Sequence, residues 1–214
     1  MLFLAVFCGF LAEWQLERTI ENHREEVYIE SIVEDIRADV AQTNKIITDL
    51  NTRVFRVDTL LLALASRNEI QVNSNKAYKL WLQTTGFPDF AQNDRTIQQL
   101  KNSGALRLIR NKAVSDKIVE YDQAVRLLGV TQNNMNSIAA NNAIFYQIFD
   151  FIALNKPNPT PVPITEIGSR LLNEAYASRF FWRINLVGLR QRLNTLNKKG
   201  IETAGFIEKE YHVK

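Results

Sequence analysis

With a single cysteine, Cys8, the chain forms no intramolecular disulfide, and two histidines beside it are too few for a zinc cluster of the usual kind. The eight glycines are scattered and make no phosphate-cradling loop, and no nucleotide, metal or nucleophile motif is present. No catalytic residue, no metal site and no cofactor are therefore expected. Lys and Arg are interleaved with acids along the whole length, which excludes the concentrated basic stripe that a nucleic-acid partner needs. Proline is also scarce: four of the five, Pro157, Pro159, Pro161 and Pro163, fall in one seven-residue stretch. Helix breakers are thus few elsewhere, and an all-α fold follows.

Long apolar runs are missing too. The longest, Leu2 to Ala12, has eleven residues and rises roughly 17 Å as a helix, about half of a ~30 Å hydrocarbon core. Leu2, Phe3, Leu4, Val6, Phe7, Phe10 and Leu11 are read as a membrane anchor, and Trp14 sits where an interfacial aromatic belongs. Three readings stay open. The favoured one makes residues 1–12 the C-terminal part of a transmembrane helix whose start lies upstream; the others are a signal-peptide core and a buried helix end in a soluble oligomer. The flank that follows (Glu13, Glu17, Arg18, Glu21, Arg24) is not enriched in positive charge, which leans towards the non-cytoplasmic side.

What the chain does have is periodicity. Positions 29, 33, 36, 40, 43, 47, 50, 54, 57, 61 and 64 alternate spacings of four and three, and ten of the eleven are apolar: Ile29, Val33, Ile36, Val40, Ile47, Leu50, Val54, Val57, Leu61 and Leu64, with Thr43 the exception. That predicts a coiled-coil-like first helix over about 13–66, packing on another helix of this chain or on a second copy. Upstream the seam shifts to Leu16, Ile20, His23 and Val27.

Shorter helices are expected around Trp81, ended by Gly86-Phe87-Pro88, and after Asp94 as cap. A second long helix is expected over 112–154, weakened by Asn133, Asn134, Asn136 and Asn141. Lys156 to Pro163 favours an extended connector, and the last helix runs over about 165–209. The domain reading is one helical bundle over 13–214 with an even number of strokes.

Net charge is +3, unevenly spread. Residues 1–70 hold seven Lys/Arg against twelve Asp/Glu, and residues 164–214 nine against five. If the first and last helices run antiparallel, Lys198 and Lys199 face Glu34 and Asp35, and Arg192 faces Asp39. Glu13, Glu17, Glu21 and Glu25 form a like-charge ladder that calls for a basic neighbour, with Lys209 and Lys214 as the in-chain candidates and a neighbouring subunit as the alternative. His23, Glu26 and Glu30 share a helical face, but the spacing is not that of a di-iron bundle. Tyr146, Phe180, Phe181 and Trp182 read as core rather than as a ligand pocket.

The segments Phe3-Leu4-Ala5-Val6-Phe7-Cys8-Gly9-Phe10-Leu11-Ala12-Glu13, His23-Arg24-Glu25-Glu26-Val27-Tyr28-Ile29-Glu30-Ser31-Ile32 and Thr96-Ile97-Gln98-Gln99-Leu100-Lys101-Asn102-Ser103-Gly104-Ala105-Leu106-Arg107-Leu108-Ile109 carry a resemblance. The chain resembles a family of uncharacterised bacterial single-pass membrane proteins, a domain of unknown function. The resemblance implies a bacterial inner-membrane location with the helical part in the periplasm, and a longer N-terminus that is basic and then apolar. It implies no catalytic residues. The expected function is a non-enzymatic, membrane-anchored accessory or scaffolding subunit of a cell-envelope complex. Its expected partners are membrane lipid and either further copies of the chain or other membrane-protein subunits. The alternative is a sensor-like bundle with a buried polar pocket for a ligand.

Overall fold

In the computed structural model, residues 2–65, 74–140, 143–154 and 169–213 are described. They are all-α, with no strand among them. The elements are α1 (Leu2–Ala65), α2 (Ser74–Gln83), α3 (Arg95–Asn102), a 3₁₀ turn (Ala105–Leu108), α4 (Lys112–Ala140), the short α5 (Ala143–Ile148) and α6 (Phe151–Leu154), and α7 (Ser169–Tyr211). The apolar run and the heptad stretch form one uninterrupted helix, as the lack of Pro and of any second Gly before residue 66 allows. The expected helix over 112–154 is broken at Asp150, whose Oδ1 accepts from Ile152 N at 3.0 Å, so that α5 and α6 are separate; residues 141 and 142 lie outside the described ones. The proline connector lies outside the described residues.

Contacts sort the chain into two compact units, and α1, α4 and α7 each contribute to both. Unit 1 comprises residues 1–42, 91–126 and 196–214. Its core sets Ile29, Ile32, Val33 and Ile36 of α1 with Ile97, Leu100, Val114, Ile118, Leu196 and Ile207. Here α1 and α7 are antiparallel: Arg37 pairs with Glu208 at 2.7 Å, and Val40 O accepts from Asn197 Nδ2 at 3.0 Å. The register differs from the one charge alone suggested. Lys199 pairs with Glu120, Lys198 with Glu202 on its own helix, and Asp35 and Asp39 are taken by the segment that starts α3. Asp94 stands at the α3 N-terminus without making a side-chain cap; Asp35 of α1 accepts from Thr96 N at 3.2 Å instead. Asn111 does cap α4, its Oδ1 accepting from Ala113 N at 3.0 Å.

Gly200 of α7 is the point of closest approach in unit 1. A Cβ there would lie 2.7 Å from Val40 Cγ2 and 3.3 Å from Tyr121 Cε2, both on stiff side chains. Gly200→Ala is therefore expected to destabilise by about 1–2 kcal/mol, overpacking outweighing the ~1 kcal/mol gain in helix propensity. Gly205→Ala on the same helix meets open space and is expected to gain up to about 1 kcal/mol. Urea unfolding of the two variants checks the opposite signs.

Unit 2 comprises residues 43–90 and 127–195. Its core is an aromatic cluster in which Trp81 of α2 packs with Phe145, Phe149, Leu60, Leu64 and Ala175. Thr84 ends α2, its Oγ1 donating to Leu80 O at 2.8 Å and its own carbonyl accepting from Trp182 Nε1 at 2.6 Å. Arg53 of α1 binds Asp49 and reaches Gly86 O at 3.0 Å, fixing the chain after α2. Within this unit α1 and α7 are again antiparallel, through Asn51 with Arg190 and Asp58 with Arg183.

Of the heptad positions, Ile29, Val33, Ile36, Leu50, Val54, Val57, Leu61 and Leu64 are buried, while Val40 and Ile47 are only half-buried. Their neighbours Asp39 and Ile46 are buried at those levels of the helix, 1% and 6% exposed. The buried face of α1 is wider than a two-helix seam because more than one element packs on it.

Candidate functional site

Positions 3, 7, 10, 14, 17, 21, 24, 28 and 31 of α1 alternate four and three and so share one face of the helix. The first half of that face is aromatic: Phe3, Phe7, Phe10 and Trp14. Phe3 is 81% exposed, Phe10 66% and Trp14 52%, and Val6, Phe7 and Leu11 are exposed as well. The side chains of Leu2 and Leu4 lie outside the described ones. Apolar exposure continues past the run, because the upstream seam residues Leu16, Ile20 and Val27 are also exposed. No helix among the described residues is long and apolar enough to cross a membrane. The reading of residues 1–12 as the C-terminal part of a transmembrane helix is thus without a span to support it, and within the described residues Glu13, Glu17 and Arg18 follow the apolar run directly.

The second half of the same face is polar and borders an open groove of roughly 710 Å³ in unit 1. Glu17, Glu21, Arg24, Val27, Tyr28 and Ser31 line it from α1, and Arg95, Thr96, Gln99 and Arg107 from α3 and the turn that follows. Gln99 Nε2 donates to Tyr28 Oη at 3.4 Å. Arg24, Arg95 and Arg107 are exposed, and none has an ion-pair partner among the described residues. Arg18 lies over the Trp14 ring, 5.5 Å from its centroid, beside a smaller cleft lined by Trp14, Glu17, Arg18, Glu21 and Arg110.

The basic neighbour of the glutamate ladder is Arg110, which precedes α4, rather than Lys209; Lys214 lies outside the described residues. Arg110 reaches Glu21 at 3.6 Å and Glu25 at 3.9 Å, and its backbone N–H donates to Glu25 Oε1 at 2.7 Å. Glu25 is buried, and Tyr211 Oη donates to it as well. Burial and this bond to a carboxylate push the Tyr211 phenol up to about 12.

A second polar node lies deeper. Asp39 is 1% exposed and accepts three hydrogen bonds: from Asn93 N and Nδ2 on Oδ1, both at 2.8 Å, and from Tyr121 Oη on Oδ2 at 3.0 Å. Burial raises its pKa, the hydrogen bonds pull it down, and Asp35 nearby raises it again. These donors come from the chain itself and tie α1 to the α3 entry and to α4. His23, Glu26 and Glu30 are all exposed, and among the described residues no group of three or more His, Cys, Asp or Glu is arranged to hold a metal ion.

No family model, curated protein or solved structure matches the chain. The geometry thus speaks alone. The apolar run marked Phe3, Phe7 and Phe10 in the sequence, but nothing there marked Arg24, Arg95 and Arg107; the signal available was that 17, 21, 24, 28 and 31 continue the spacing of Phe3, Phe7, Phe10 and Trp14.

Proposed function

We propose that the protein is a non-enzymatic helical bundle attached to a membrane by the N-terminal end of α1, acting as an accessory or scaffolding subunit of a cell-envelope complex. The observation that carries the reading is the apolar tip: a continuous helix whose first residues expose Phe3, Val6, Phe7, Phe10 and Leu11 together, followed by an interfacial Trp14. Such a surface is costly in water and favourable in lipid. The buried acids that a sensor would offer to a ligand are occupied from within, Asp39 by Asn93 and Tyr121, Glu25 by Arg110 and Tyr211, and this supports the scaffold over the sensor. The resemblance to single-pass membrane proteins supports an inner-membrane location with the helical part in the periplasm. Lipid, further copies of the chain and other membrane-protein subunits are the proposed partners.

Deleting residues 1–12 tests the attachment. Three phenylalanines alone, at about 1.5 kcal/mol or more each on burial, correspond to a partition change of roughly a thousandfold. The full chain is expected to float with neutral phosphatidylcholine vesicles and the shortened one to stay below as folded, helical protein. A full chain that remains in the aqueous fraction sinks the reading. Native mass spectrometry of the detergent-extracted protein then identifies the co-purifying subunits.

A further inference from the structure

We propose that the groove bounded by Arg24, Arg95 and Arg107 binds the phosphate of anionic phospholipid headgroups. The inference deepens the membrane-attached reading and rests on it. Three exposed arginines from three separate stretches of the chain converge on one cleft, and none is held by an acid among the described residues. Guanidinium groups present paired donors that match phosphate oxygens. Of the two acids in the groove, Glu21 already has Arg110 at 3.6 Å; Glu17 lies at the end nearer Trp14, beside Arg18.

Position argues for lipid as the source of the phosphate. The groove continues the face that carries Phe3, Phe7, Phe10 and Trp14, and exposed Leu16, Ile20 and Val27 form a second apolar stripe, on another face of α1, that meets the groove at Val27. Twelve residues separate Ala12 from Arg24, about 18 Å along a helix, more than the headgroup layer of roughly 5–7 Å is deep. A helix standing upright would hold the groove clear of the phosphates. An oblique helix, with Leu16, Ile20 and Val27 at the boundary of headgroups and acyl chains, brings the arginines down to them.

Flotation of the full chain with two kinds of vesicle, phosphatidylcholine alone and phosphatidylcholine mixed with phosphatidylglycerol, tests this. The expected result is binding to both, with the anionic lipid raising affinity by roughly a hundredfold at low salt. The triple variant Arg24→Gln, Arg95→Gln, Arg107→Gln should lose that increment and keep its binding to neutral vesicles. Its folding, followed by circular dichroism, should be unchanged, since the three side chains are exposed and make no ion pair among the described residues. Lys45→Gln, Lys76→Gln, Lys79→Gln removes the same charge from exposed positions of unit 2 and should keep the increment. Equal losses in the two triple variants, or no increment in the parent, overturn the assignment. Loss of neutral-vesicle binding with the increment intact counts instead against the apolar anchor and leaves the groove standing.

Discussion

Replacing Trp81 by alanine is expected to destabilise the protein by about 4 kcal/mol, the largest effect of any single substitution proposed for this chain. The indole is fully buried in unit 2, stacked on Phe145 at 5.5 Å and edge-on to Phe149 at 6.3 Å, with Leu60, Leu64 and Ala175 in the same cluster. Truncation removes the whole ring and leaves a cavity between helices that cannot close without moving three of them. It also strips the ring face from Arg179, whose guanidinium carbon lies 4.4 Å from the Trp81 centroid. Burial already holds the Arg179 pKa down near 10, so losing a cation–π partner there adds to the cost. Trp81→Phe separates the two causes of loss. Trp81 Nε1 has no acceptor among the described residues, so phenylalanine forfeits volume but no hydrogen bond and is expected to cost under about 2 kcal/mol. Denaturant unfolding gives the totals, and hydrogen exchange should show the loss of protection in peptides of unit 2. Equal costs for the two variants would refute the packing account.

The all-α class was legible because the chain is poor in breakers and rich in four-three spacing, and Trp81 was already placed on a short helix by its flanks. Periodicity ranks positions by apolarity, however, and it therefore named Val40, which packs against Gly200, but not Asp39, which is buried beside it. A carboxylate becomes a core residue only when donors arrive to meet it, and here they come from Asn93 and Tyr121, 54 and 82 positions away. Ile46, which the four-three spacing passes over, is buried beside the half-buried Ile47: both are apolar, and which one turns further inwards depends on where α1's neighbours lie. The α1–α7 register was misjudged because exposed charges are weak determinants of packing. Gly200 against Val40 and Tyr121, a steric match invisible in charge, marks the register actually adopted. The arginine groove escaped notice because its three cations are distant in sequence and each looks like an ordinary surface residue.

Asp39→Ala is expected to cost about 3 kcal/mol, since it leaves Asn93 N–H, Asn93 Nδ2–H and the Tyr121 hydroxyl without their acceptor in a buried site. Asp39→Asn keeps the shape and part of the bonding, and it isolates the charge. The Asp39 pKa is raised above its ordinary value of 3.8, chiefly because burial disfavours the carboxylate, with Asp35 adding to the shift. The folded state therefore binds a proton more tightly here than the unfolded chain does. Stability from this group is fully present below the unfolded pKa and declines as pH rises through the folded one. The phenol of Tyr121 is itself pushed upwards by burial and by the Asp39 charge, so it stays protonated across that window and does not contribute to the slope. Charges distant from the node are common to wild type and variant and cancel in the difference. Wild type minus Asp39→Asn, measured by urea unfolding at pH 4 and pH 7, should thus be larger at the lower pH. A difference that instead grows with pH would mean that the Asn93 and Tyr121 bonds outweigh burial and that Asp39 is held as a stabilised anion. The node would then be a hydrogen-bonded carboxylate clamp between α1 and α4 rather than a desolvated tie.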